Sequence, residues 1–223
     1  IYNTTGIQNT IIGRAAAQNF KTAAYNTAVG YFAMAGGSIA SGGNTGDRNT
    51  MMGRYTGYGI TTGSFNSGFG MEALYAQTTG EANTAVGYYA ANTLTTGSYN
   101  LAVGFQSMVA CAVDAQYNTC VGNYSGRLIS GESNTFLGYA AGYGGMTSDE
   151  NTFVGHRCGQ LRTAGRDNTF VGANAGYTAG TGANNTAVGR ASGYTLSAGA
   201  GNTFFGRQAG YSCESSGNNT MVG

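Results

Sequence analysis

The sequence has no proline and no tryptophan, and only 9% of its residues are charged, leaving a formal balance of +1. Such sparse and balanced charge argues against a nucleic-acid-binding face and against an acidic solvated tail. No apolar run approaches the roughly 18 residues that suggest a membrane span, and no basic flank leads into an apolar core at the start. The chain begins at Ile1 and stops at Gly223 inside a repeat, as expected of a mature product or a segment of a longer fibre. The absence of proline beside 40 glycines also excludes collagen, which needs glycine at every third position with abundant proline. Recurrent Val, Ile, Phe and Tyr separate the chain from a flexible Gly/Ser linker. It is expected to fold, with Asn, Thr, Ser and Gly supplying solubility.

Zinc-site chemistry is missing as well. The four cysteines, Cys111, Cys120, Cys158 and Cys213, form no CxxC pair and have only His156 to join them. Cys120 and Cys158 stand in columns of small or apolar residues, as buried small hydrophobes do. Cys111 and Cys213 share a turn column six repeats apart, too far for a disulfide within one chain, so only a link between chains is open to them. No metal or cofactor is expected.

What is present is a period. Asn-Thr-x-apolar-Gly, with few departures, recurs thirteen times, from Asn9, Asn26, Asn49, Asn66, Asn83, Asn100, Asn118, Asn134, Asn151, Asn168, Asn185, Asn202 and Asn219. The intervals are 17, 23, 17, 17, 17, 18, 16 and then five of 17, so one six-residue insertion falls near 35–46. Numbered from the Asn, position 2 is Thr or Ser in all copies but Leu101, position 4 is apolar, position 5 is Gly and position 8 is small. Seventeen residues suit two short strands and two tight turns, with Gly and Asn taking the φ > 0 that turns require. The fold class expected is all-β: a β-solenoid or β-roll of about thirteen 17-residue coils, one repeat domain over 1–223. At about 4.8 Å per coil it would form a rod about 60 Å long.

Positions 3 and 4 are both apolar or Gly, although neighbouring strand residues point to opposite faces. A strand apolar on both faces is usually covered on both. Position 4 is nearly constant in size and is assigned to the coil interior, where Val171→Asp would open the fold. Position 3 runs from Gly68 to Phe and is assigned to the outside. There Ile11, Met51, Phe136, Phe153, Phe170 and Phe204 would form a ridge for self-association.

The copies NTAVGYFA (26–33), NTAVGYYA (83–90) and NTFVGANAG (168–176) resemble the head repeats of YadA-like trimeric autotransporter adhesins. They resemble more closely the NTAVG/NTFVG repeats of tail-fibre-like proteins of phages and bacteria. The resemblance covers nearly the whole chain and implies a left-handed β-roll in a homotrimeric surface fibre. The period is longer than in the adhesin heads, and Thr and Val stand where those heads carry Ser and Ala.

Candidate chemistry is sparse. The Asn column fits a ladder of side-chain amides bonding along the stack. An exposed Thr column could order water and bind ice, but only if positions 2 and 4 point outward and position 3 packs inside. His156 has no nucleophile and acid placed around it by the repeat, so no enzyme is expected. Acidic residues such as Asp47, Glu81, Glu132, Asp149, Glu150 and Asp167 hold no fixed position, and GGNTGD at 42–47 is a single, misspaced match to a calcium-loaded roll. Arg14, Tyr31, Arg54, Tyr88, Tyr139, Arg190 and Arg207 share position 6, a candidate contact stripe for protein or glycan. Asn3, Asn123, Asn184 and Asn218 match the N-x-[ST] glycosylation pattern. The reading favoured is a structural subunit of an extracellular, cell-surface or virion-surface fibre or filament. Its partners are copies of itself, as trimer or end-to-end filament, with no nucleic acid and no membrane span. The competing readings are an adhesin head that binds a host-surface receptor protein or glycan, and an ice-binding solenoid.

Overall fold

A computed structural model describes residues 5–36, 43–161, 164–178 and 180–223. The chain is an all-β solenoid with one three-residue strand per repeat, gathered in two compact units, Ile1–Gln116 and Tyr117–Gly223. The first unit holds β1 (Thr10–Ile12), β2 (Thr27–Val29), β3 (Thr50–Met52), β4 (Ser67–Phe69), β5 (Thr84–Val86) and β6 (Leu101–Val103). The second holds β7 (Thr119–Val121), β8 (Thr135–Leu137), β9 (Thr152–Val154), β10 (Thr169–Val171), β11 (Thr186–Val188), β12 (Thr203–Phe205) and β13 (Thr220–Val222). Within each unit every strand pairs in parallel with its sequence neighbours, position 2 on position 2 and position 4 on position 4. Thr27 still pairs with Thr50 across the long interval, so the insertion leaves the register intact. Most of the residues added there, 37–42, lie outside the described residues.

A second strand per coil was expected, and none forms among the described residues. The reason is backbone geometry: non-glycine residues adopt left-handed φ at recurring places, as at Phe65 (61°), Glu72 (57°) and Leu74 (53°) of successive turns. Left-handed φ costs an L-residue roughly 1–2 kcal/mol and bends the chain out of any extended run. Main-chain hydrogen bonds between coils offset that cost, for example Phe65 N–H to Asp47 O at 3.0 Å and Glu72 N–H to Arg54 O at 2.9 Å.

Register is held by the asparagine ladder. The Oδ1 of Asn49 accepts the main-chain N–H of Asn66 at 2.9 Å, and the Oδ1 of Asn168 accepts that of Asn185 at 3.0 Å. Most of the Nδ2 groups also donate across their own coil, as Asn66 does to Gly80 O at 2.9 Å and Asn202 to Ser216 O at 2.9 Å. From Asn26 to Asn202 these side chains are buried, where an unpaired amide would cost about 1–3 kcal/mol. The glycine at position 5 is the second fixed point. At Gly70 φ is 128°, and an added Cβ would come within 2.6 Å of the Gly87 carbonyl oxygen in the next coil. No other residue satisfies both conditions.

The inside-outside assignment of the strand is the reverse of the expected one. Met51, Phe136, Phe153, Phe170 and Phe204 are all fully buried within their own unit, and Ile11, in the terminal strand of its unit, is half-buried. The supposed self-association ridge is therefore the core, with Phe136–Phe153 and Phe153–Phe170 ring centroids stacked at 5.1 and 5.0 Å. Position 4 points out instead: Ile12, Met52, Phe69, Leu137 and Phe205 are exposed.

The interior tolerates Gly-to-Phe variation because position 9 of the same coil, or position 3 of a neighbouring coil as with Met51 beside Gly68 and Phe204 beside Gly193, compensates for it. Phe136, Phe153, Phe170 and Phe204 face Gly142, Gly159, Gly176 and Gly210, whereas Gly68 faces Leu74, and Ala28 and Ala102 accompany Met34 and Met108. A Cβ on Gly142 or Gly210 would sit 2.6 Å from its phenylalanine ring, and one on Gly159 or Gly176 would collide with Phe153 or Phe170 outright. Small buried residues at position 8 and larger ones at position 12, such as Phe20, Ile60, Leu94, Ile129 and Leu196, complete the core.

Changes to this packing should be costly and coupled. Gly176→Ala should destabilise the second unit by about 2–4 kcal/mol, through overpacking plus left-handed strain. Adding Phe170→Ala to a Gly176→Met variant should recover more than half of that variant's loss, because the pair then matches Ala102 and Met108; urea midpoints of the four proteins give the coupling. Val171→Asp should cost about 1 kcal/mol or less, and Phe170→Asp more than about 4 kcal/mol, as read from protease resistance around 165–180.

Candidate contact surface

Three bands of side chains face solvent. The first is the outward face of the strands, where positions 2 and 4 form two parallel columns. None of the residues in either column is charged in any copy. Thr10, Thr135, Thr169, Thr186, Thr203 and Thr220 are exposed, and the remaining position-2 residues are half-buried. In the first unit the apolar column is rough, with Ile12, Met52 and Phe69 exposed beside Val29 and Val103. In the second it runs more evenly through Val121, Leu137, Val154, Val171 and Val188 before Phe205.

The second band, at the turn after the strand, holds the position-6 stripe. Arg14, Arg54, Tyr88, Tyr139, Arg190 and Arg207 are exposed and Tyr31 is half-buried. Met71, Phe105, Asn123, His156 and Ala173 interrupt the column, so it acts in patches. The Arg14 guanidinium lies over Tyr31 at 5.7 Å and that of Arg54 over Tyr55 at 5.0 Å, while Tyr31 and Tyr55 meet edge to face at 5.4 Å. Tyr88 stacks on Phe105 at 5.3 Å, and Tyr139 on His156 at 5.4 Å. His156 thus belongs to an aromatic ladder. At position 10, Tyr177, Tyr194 and Tyr211 stack at 5.0 and 4.8 Å with planes within 6°. Rings stacked this way cover each other's faces and offer a ligand chiefly edges and hydroxyls. Partial desolvation, and then the neighbouring Tyr177 and Tyr211, push the Tyr194 hydroxyl above its ordinary range. A hydrogen bond with Glu72 pushes that of Tyr89 up to about 12.

The third band was not foreseen. It comprises the residue immediately before each ladder asparagine, here position 0, which includes Tyr25, Arg48, Phe65, Ala82 and Tyr99 in successive coils. All five have φ between 53° and 61°, so their side chains leave the backbone in one direction. Aromatic residues carry no sequence signal for left-handed backbone, and only their fixed offset from the Asn could have exposed the column.

Of the candidate glycosylation sites, Asn123, Asn184 and Asn218 are exposed, and Asn3 lies outside the described residues. No cluster of three metal-ligating side chains occurs among the described residues. All four cysteines are buried and free. A chain-to-chain disulfide at Cys111 or Cys213 would require its coil to open.

Comparison with protein-family models, with characterised proteins and with solved structures finds no match for the chain.

Burial pushes the Cys111 thiol from 9.0 up to about 11, and that of Cys158 higher still. An acid with a raised folded pKa stays protonated in the native state while the unfolded chain ionises. Its stabilising contribution is therefore complete below pH 9 and is lost as pH rises towards 11. Urea unfolding between pH 8 and 11 should show a shallower alkaline loss for Cys111→Ala than for the parent, by up to about 2–3 kcal/mol across the window.

Proposed function

We propose that the chain is a structural subunit of an extracellular or virion-surface fibre, self-associating through the outward face of its strands. The observation that carries this reading is the uncharged double column of positions 2 and 4, with Ile12 at 60%, Met52 at 43% and Phe69 at 37% exposure. Soluble monomers seldom leave so long an apolar stripe open to water. A second copy supplies the matching occupant, because its own columns are equally uncharged and no charge is stripped of water when the two faces meet. Stacked coils with in-register amide and aromatic ladders also suit a spacer, since each coil gains stability from its neighbours. The resemblance to tail-fibre-like and adhesin-head repeats agrees with this reading. The glycan-receptor alternative draws less support, since the stacked tyrosine faces are already occupied.

The outward Thr column favours one second reading, an ice-binding surface. Its hydroxyls repeat at the strand spacing, roughly 4.8 Å, beside a column of valine methyl groups. One pair of measurements separates the readings. The parent protein should sediment as a multimer, and Met52→Lys with Phe69→Lys should release subunits of 22.7 kDa with unchanged far-ultraviolet circular dichroism. A parent that sediments as a monomer and produces thermal hysteresis would replace the fibre reading by the ice-binding one.

A further inference from the structure

We infer that Phe65, Ala82 and Tyr99 form a slot that binds a planar guanidinium, the side chain of an arginine presented by a partner. The inference does not rest on self-association, because the slot lies at position 0, beside the strand columns.

The same column already contains one filled slot of this kind. The Arg48 guanidinium carbon lies 5.2 Å from the Tyr25 ring centroid and 5.4 Å from that of Phe65, so one planar cation is held between rings on the coils before and after its own. Each ring attracts it through the negative potential of its face. The next position in the column is Ala82, half-buried, whose side chain ends at Cβ, and Tyr99 follows it. Main-chain hydrogen bonds keep these residues in step: Arg48 N–H to Ala24 O at 3.1 Å, Phe65 N–H to Asp47 O at 3.0 Å, Ala82 N–H to Ser64 O at 3.0 Å and Tyr99 N–H to Glu81 O at 2.9 Å.

Phe65 and Tyr99 are therefore two strand steps apart, roughly 9.6 Å, the same offset at which Tyr25 and Phe65 hold Arg48 between them. Both rings are 54% exposed, so the slot opens to solvent. Glu81, exposed and adjacent in sequence to Ala82, adds negative charge to the same turn. The flat, weakly hydrated guanidinium suits such a gap better than a compact, strongly hydrated ammonium.

The test follows the Ala82 methyl resonance in the full-length protein, labelled at alanine methyl groups. The probes are N-acetyl-arginine amide and N-acetyl-lysine amide. The arginine probe should shift the Ala82 methyl resonance saturably, and the lysine probe should bind about tenfold more weakly or less. Ala82→Arg, which places an internal guanidinium as Arg48 does, should abolish binding of the probe at this column while leaving the circular dichroism unchanged. Tyr99→Ala should weaken binding at least tenfold. Arg48→Ala should open a second slot between Tyr25 and Phe65, reported by the methyl group that this substitution introduces. An Ala82 resonance that moves at saturating arginine probe in neither the parent nor the Met52→Lys, Phe69→Lys protein overturns the inference, as does an equal response to lysine or a response that survives loss of the Tyr99 ring. Repeating the titration on the Met52→Lys, Phe69→Lys protein separates a slot covered by assembly, where binding appears only in the variant, from a slot that does not exist.

Discussion

A ladder asparagine closes most coils and, within each unit, ties one coil to the next. Its Oδ1 accepts the main-chain N–H of the following copy, as at Asn185 and Asn202, 2.9 Å apart, while Nδ2 bridges the start and end of its own turn. Without that amide a three-residue strand has too few ladder hydrogen bonds to fix its register, and the Phe, Tyr and Gly columns would not align. The glycine carbonyl packing at position 5 and the compensation between positions 3 and 9 both depend on coils stacking without slip. The insertion coil shows how strong the constraint is: six extra residues leave Thr27 opposite Thr50.

The period, the amide ladder, the invariant glycine and the small position 8 were legible in the sequence because each repeats without compensation. The inside-outside sense of the strand was not. Position 3 looked too variable for a core because it was judged alone. Its partner column, position 9, carries the complementary variation, and Phe170 with Gly176 occupies much the same space as Ala102 with Met108. A column average conceals such a correlation, and only coil-by-coil comparison of the two positions reveals it. The missing second strand was equally hidden, since Tyr, Phe, Leu and Glu are not residues that announce left-handed backbone.

The surface follows from the same arithmetic of columns. Charges are rare and fall in turns, with Arg166 and Asp167 making an ion pair at 3.5 Å. The strands present hydroxyl and methyl groups, and the turns present stacked rings with arginines over or between them. The first unit is the rougher and more aromatic on this side, and the second the more even. A partner docking on this surface would meet shape, apolar contact and cation–π attraction, with long-range charge steering contributing little.

The filling at positions 3 and 9 lies partly within a single coil, as Phe153 with Gly159 shows, and partly between neighbours, as Met51 beside Gly68 and Phe204 beside Gly193 show. A 17-residue module consequently carries much, though not all, of its own filling. Unequal recombination that duplicates or deletes whole modules would lengthen or shorten the protein with repacking confined to the coils that meet at the junction. Length is then free to vary under selection while the interior chemistry stays the same.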